Sequence, residues 1–139
     1  MQDRPTILEL LAAVREFVTH QVVPVLEGGK QFHARVAANV VGIVERELRD
    51  GDEQLRAEWM RLQPLCAEED DDDPAEEAPP EDPVVLRAAV GALNAELAAR
   101  IRQGDADTGP LRAAVHAHLR ATIDDKLRIA NPAYLEHGR

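Results

Sequence analysis

The stretch QFHARVAANVVGIVERELRD, residues 31–50, decides the fold. Phe32, Val36, Val40, Ile43, Val44 and Leu48 recur every three or four residues, the spacing of a helix with one apolar face. Gly51 follows, a residue that commonly closes a helix, so the sequence predicts a second helix over about 31–50. The segment before it reads the same way. Thr6 followed by Glu9 is a capping-box pattern, and Ile7, Leu10, Leu11, Val14, Phe17, Val18, Gln21, Val22 and Val25 share one side of a first helix. Pro24 should kink or end it, and Gly28-Gly29 should stop it. After Gly51 a third, shorter helix is expected from Asp52, with Leu55, Trp59, Leu62 and Cys66 inward and Trp59 closing one end of the core.

Downstream, Asp82 and Pro83 open a fourth helix, with Leu86, Val90, Leu93, Leu97 and Ile101 at helical spacing up to Gly104. A fifth runs from Pro110 to the Asn131-Pro132 break, with Leu111, Val115, Leu119, Ile123, Leu127 and Ile129 as its inward set. No stretch alternates cleanly enough to be a strand. The expectation is an all-α single domain over 1–139, a bundle of four main helices plus one short one.

Composition agrees. The 139 residues are 45% apolar but only 3% aromatic, with 22 alanines and 15 leucines, which points to close packing through small side chains. The formal net charge of −10 sits in one place: Glu68 to Asp82 holds ten carboxylates and no base, while the remainder balances 16 acids against 16 bases. Like-charge repulsion and Pro74, Pro79, Pro80 and Pro83 mark 68–82 as a disordered acidic linker. Without a basic excess, nothing drives counterion release from nucleic acid. No apolar run reaches membrane-spanning length and the N-terminus lacks signal-peptide character. The lone Cys66 fits a reducing, cytoplasmic setting.

Catalytic motifs are missing. Gly28-Gly29-Lys30 lacks the upstream glycine of a phosphate cradle, and neither HExxH nor CxxC occurs. His116 and His118 lie two apart, about 200° around a helix, so they cannot share one ion. No metal, cofactor or catalytic residue is expected, and the acidic neighbours of Cys66 would raise rather than lower its pKa.

Polar residues on apolar arcs are more informative. His33 and Glu47 fall among Val36, Val40 and Val44; Thr122 and Lys126 fall among the apolar residues of the fifth helix. If helices two and five run parallel, Glu47 and Lys126, both roughly 24 Å along, sit level and either form a buried pair or snorkel out at the helix ends on their aliphatic stems. If they run antiparallel, His33, Arg35 and Asn39 come near Asp125, Lys126, Asn131 and Tyr134. There, side chains from helix two would supply donors to the open carbonyls at the Asn131-Pro132 end. That cluster is either a structural clasp or a surface for a partner. Arg35, Asn39, Gly42 and Arg46 line one edge of helix two. They read either as a solvated edge or as a positive seat for an acidic or phosphorylated group.

Two segments also resemble a known family. They are Phe32-His33-Ala34-Arg35-Val36-Ala37-Ala38-Asn39, and Leu119-Arg120-Ala121-Thr122 with Asp125-Lys126-Leu127, Ala130-Asn131-Pro132 and Tyr134-Leu135. With Arg4-Pro5-Thr6 they are similar to a small bacterial family of helical proteins classed as a domain of unknown function. The resemblance covers nearly the whole chain apart from the acidic linker. Members are typically encoded beside aminoglycoside-phosphotransferase-like kinases and acyl-CoA dehydrogenases. The resemblance therefore implies a non-catalytic accessory subunit of such a kinase, in hydroxyacyl-CoA breakdown. It supplies no catalytic residues. The alternative is a small ligand-binding protein or minor enzyme, holding an acyl or acidic metabolite around His33, Glu47 and Lys126. Whether the chain forms a homo-oligomer stays open at this point.

Overall fold

The structure, a computed structural model, describes residues 3–67 and 78–137. Among these residues it is all-helical, with four long helices and one short one: α1 (Ile7–Phe17), α2 (Gly28–Cys66), α3 (Pro83–Gln103), α4 (Gly109–Ala130) and α5 (Pro132–His137). The predicted start of α1 is seen directly. Thr6 Oγ1 accepts from the Glu9 N–H at 3.2 Å while the Glu9 carboxylate accepts from the Thr6 N–H at 2.6 Å. Ahead of Pro24 the helix widens into a π segment, Val18–Val22, then tightens into a single 3₁₀ turn, Val23–Val25. A proline without an N–H cannot continue the regular ladder, so the chain leaves the helix at an extended Leu26. At α3, Asp82 caps through the Val84 N–H, and Gly104, with φ of 95°, closes the helix in the left-handed region.

One boundary differs from the sequence reading. Residues 31–50 and the expected short helix after Gly51 are a single helix of 39 residues, and the short helix of the fold is α5 instead. A glycine inside a helix costs about 1 kcal/mol relative to alanine. Trp59, Leu62 and Leu65 beyond it are all buried, and their burial outweighs that cost. The expected acidic linker lies, over 68–77, outside the described residues. Of its remainder, Pro80 and Glu81 offer their carbonyls to the Arg56 guanidinium at 3.3 and 3.2 Å.

The chain divides into two compact units, one of 52–127 and one of 1–51 with 128–139. The first holds the apolar core: Trp59, Leu62, Leu65, Cys66, Leu86, Val90, Leu97 and Val115, with Leu55, Leu93 and Leu111 packed against it. Most of these were legible as helical apolar faces. Arg100 closes the end of α2 by donating to the carbonyls of Leu65 at 2.8 Å and Ala67 at 3.4 Å, two acceptors without a partner in the helix ladder. The Cys66 thiol donates to the Leu93 carbonyl. Burial, reinforced by Glu96, pushes its pKa up and disfavours the thiolate.

The other unit is organised differently. Among its described residues the buried apolar side chains are Ala38 and Ile129, and α1 contributes none.

Candidate functional site

On α2, the face turned inward in the unit of 1–51 carries its smallest side chains. Ala38 and Gly42 are buried, Ala34 is half-buried, and Glu45 is 8% exposed. Small residues let backbones approach closely, and a Cβ on Gly42 would stand 3.3 Å from the Arg15 side chain of α1. Val36 and Val40 lie two residues to either side of Ala38, about 200° around the helix. They must therefore face out. Phe32, Val36, Val40, Val44 and Leu48, predicted as core, are all exposed, Phe32 by 62%. The same inversion holds on α1. Leu8, Leu11, Ala12 and Arg15 are half-buried, whereas Ile7, Leu10, Val14 and Phe17 face solvent, Phe17 by 59%. Isolated exposed apolar side chains are ordinary, but two helical rows of them are the mark of a contact surface.

Polar groups take the inward positions. Glu45 accepts from Arg15 Nε at 3.0 Å and from Arg49 at 2.8 Å. The Arg15 bond holds the Glu45 carboxyl below its ordinary range; burial works against this and Arg49 adds to it. Beside them, Arg46 Nε donates to the Ile129 carbonyl at 2.6 Å. At the end of the fifth predicted helix the Ile129 carbonyl thus takes its side-chain donor from Arg46 and not from Arg35 or Asn39, so the clasp is not formed by the residues expected of it. Among the described residues, no side-chain hydrogen bond or ion pair links His33, Arg35 or Asn39 to Asn131 or Tyr134, and all five are exposed. On the edge of Arg35, Asn39, Gly42 and Arg46, Arg35 and Asn39 are exposed, as the solvated-edge reading has them, while Arg46 is engaged with the Ile129 carbonyl. Glu47 and Lys126 are each exposed, as the snorkelling reading has them. Turning α2 to bring its small residues inward puts Glu47 and His33 outside with the valines.

A second polar cluster lies in the unit of 52–127. Arg61 pairs with Asp125 at 2.8 Å, and Asn94 Nδ2 donates to Glu58 at 2.9 Å. His118 is buried, and Arg61 Nε, His118 Nδ1 and Thr122 Oγ1 are buried with no hydrogen-bond partner among the described residues. Burial pushes the His118 pKa down, with Arg61 and Lys126 acting in the same direction and Glu58 opposing, so the ring is neutral at pH 7. On α4 the expected inward set holds at Leu111, Val115, Leu127 and Ile129 but fails in between: Leu119 and Ile123 are exposed, while His118 and Thr122, one turn apart, point in. The sequence signal was present, because Thr122 interrupts the apolar arc, but His118 was passed over for the leucine beside it. Among the described residues, no group of three or more His, Cys, Asp or Glu side chains is placed to hold a metal ion. No described helix is long and apolar enough to cross a membrane.

No curated protein and no solved structure matches the chain. A family model does match, over residues 24–134, from the approach to α2 into α5. The chain belongs to the family described as Domain of unknown function (DUF6285).

Proposed function

We propose that this protein is a non-catalytic interaction subunit that binds and supports an aminoglycoside-phosphotransferase-like kinase in hydroxyacyl-CoA catabolism. The observation that carries the interaction reading is the outward row Ile7, Leu10, Val14 and Phe17 on α1, large apolar side chains that the unit of 1–51 does not bury. A chain that only needed to fold would turn these residues inward. The choice of a kinase as partner rests on the family resemblance of the sequence. It also accords with the lack of a phosphate cradle in the sequence and with the engagement of Arg15 and Arg46 inside the chain. The ligand-binding alternative would use His33, Glu47 and Lys126, and it draws no support from three side chains that lie on the surface.

The test is co-expression with the neighbouring kinase, co-purification, and a phosphorylation assay with and without this chain. Leu10→Asp and Phe17→Asp should abolish co-purification while preserving helicity, because both side chains already face water. Retention of the kinase by both variants, or no association with the parent chain, would refute the reading.

A further inference from the structure

The row on α2 differs from the row on α1 in its spacing and in the charges around it. Phe32, Val36, Val40, Val44 and Leu48 follow one another at four-residue intervals, a single i±4 ridge over the outer surface of the helix. Interdigitated i±4 ridges give the commonest helix crossing class, near −50°, and two copies of one ridge meet this condition by construction. Charge is arranged about the same centre. Lys30 and His33 lie toward the N-terminal end of the ridge, and Glu47 and Asp50 toward its C-terminal end. His33 and Glu47 are each seven residues from Val40. An antiparallel second copy centred on Val40 brings its acidic end to the basic end of the first, with His33 level with the Glu47 of the other copy. Of the remaining nearby charges, Arg46, Arg49 and Glu45 are engaged inside the chain, and the exposed Arg35 adds to the basic end.

The five ridge side chains are between 42% and 62% exposed, so a second copy laid along the ridge removes large aliphatic and aromatic surface from water.

We propose that the outer face of α2 from Phe32 to Leu48 is a homodimer interface, in which a second copy of this chain packs antiparallel about a twofold axis at Val40. The contact is isologous, so it closes at two copies and leaves the α1 row free for a different partner.

Sedimentation equilibrium of the full chain should give a dimer. Val40→Asp places two carboxylates at the axis and should weaken self-association by at least about 100-fold. Its helicity should be unchanged, since Val40 faces water in the single chain. Should that variant fail to fold, Val40→Cys in a Cys66→Ser background provides an independent measure. Mild oxidation should link two copies through residue 40, whereas Leu10→Cys in the same background should not crosslink. Reversing both charges, His33→Glu with Glu47→Lys, should retain the dimer, and Glu47→Lys alone should weaken it. A monomeric parent chain at about 100 µM overturns the proposal, as does a dimer that survives Val40→Asp or crosslinks equally at residue 10. Leu10→Asp separates this proposal from the functional one: it should leave the dimer intact and remove only the kinase.

Discussion

Gly51→Ala tests the continuity of α2 where the sequence suggested its end. Residue 51 sits inside the 39-residue helix and is absent from the glycines with positive φ, which are Gly28, Gly104 and Gly109. Alanine is therefore compatible with its backbone. The added Cβ would meet the Glu47 carboxyl group at 3.2 Å, the far end of a flexible and exposed side chain that can swing aside. Against that small cost stands the gain from restricting the unfolded chain and improving helix propensity, about 0.8–1 kcal/mol. The expected net is a stabilisation of about 0.5–1 kcal/mol, a rise in melting temperature of roughly 2–5 °C for a chain of this size. Far-UV circular dichroism melts of the two proteins at equal concentration measure it. A glycine that ended the helix in the left-handed region would respond oppositely. Gly104, with φ of 95°, is the internal standard: alanine there should cost about 1–2 kcal/mol. A fall in melting temperature for Gly51→Ala, comparable to that for Gly104→Ala, would refute the unbroken helix.

Arg61→Ala should destabilise the chain by about 1–3 kcal/mol in denaturant titration, because it strips the half-buried Asp125 of its guanidinium. Adding Asp125→Asn should restore part of the loss. The melting temperature should decline as pH falls below 6.5, the ordinary histidine value. The folded pKa of His118 lies lower than that, so over this interval the unfolded chain takes up the proton more readily. His118→Gln should flatten the profile between pH 7 and 5, leaving a later decline below 4.5 as the depressed Glu45 carboxyl protonates. Arg46→Ala should cost about 1 kcal/mol, since the Ile129 carbonyl loses its side-chain donor, and Arg35→Ala should change stability by less than about 0.5 kcal/mol.

The helices and their caps were legible because they are local. Thr6 with Glu9, Asp82 with Pro83, and Gly104 each act within a few residues, and the structure uses all three as read. The core of the 52–127 unit was legible for a related reason. Trp59, Leu62, Leu86, Val90 and Leu97 lie on unambiguous apolar faces, and burial follows the face. Gly51 misled because a glycine is a weak breaker whose effect depends on what is buried beyond it. The candidate site was the least legible. In Phe32–Leu48 the helix has two possible inner faces, one of large aliphatics and one of Ala34, Ala38 and Gly42. Periodicity ranks the first by hydrophobicity and has no means of rewarding the second for the close approach it allows.

That inversion bears on function, because the two faces differ in what they require. A small-residue face excludes water only when another group lies close against it, and the Arg15 side chain at Gly42 supplies such a neighbour within the chain. Glu45 can occupy this inner face because Arg15 and Arg49 meet both of its oxygens there. The aliphatic face has no such obligation and can wait for a surface of matching shape. Inward charges and outward valines are thus two consequences of one choice of helix rotation. A rotation that buried Val40 would carry Glu47 and His33, on the same side of the helix, inward with it. Unpartnered burial of a charge costs more than an aliphatic side chain gains, so the observed rotation is the stable one for the single chain. The apolar ridge is therefore held outward by the polar groups behind it, and covering it is left to association.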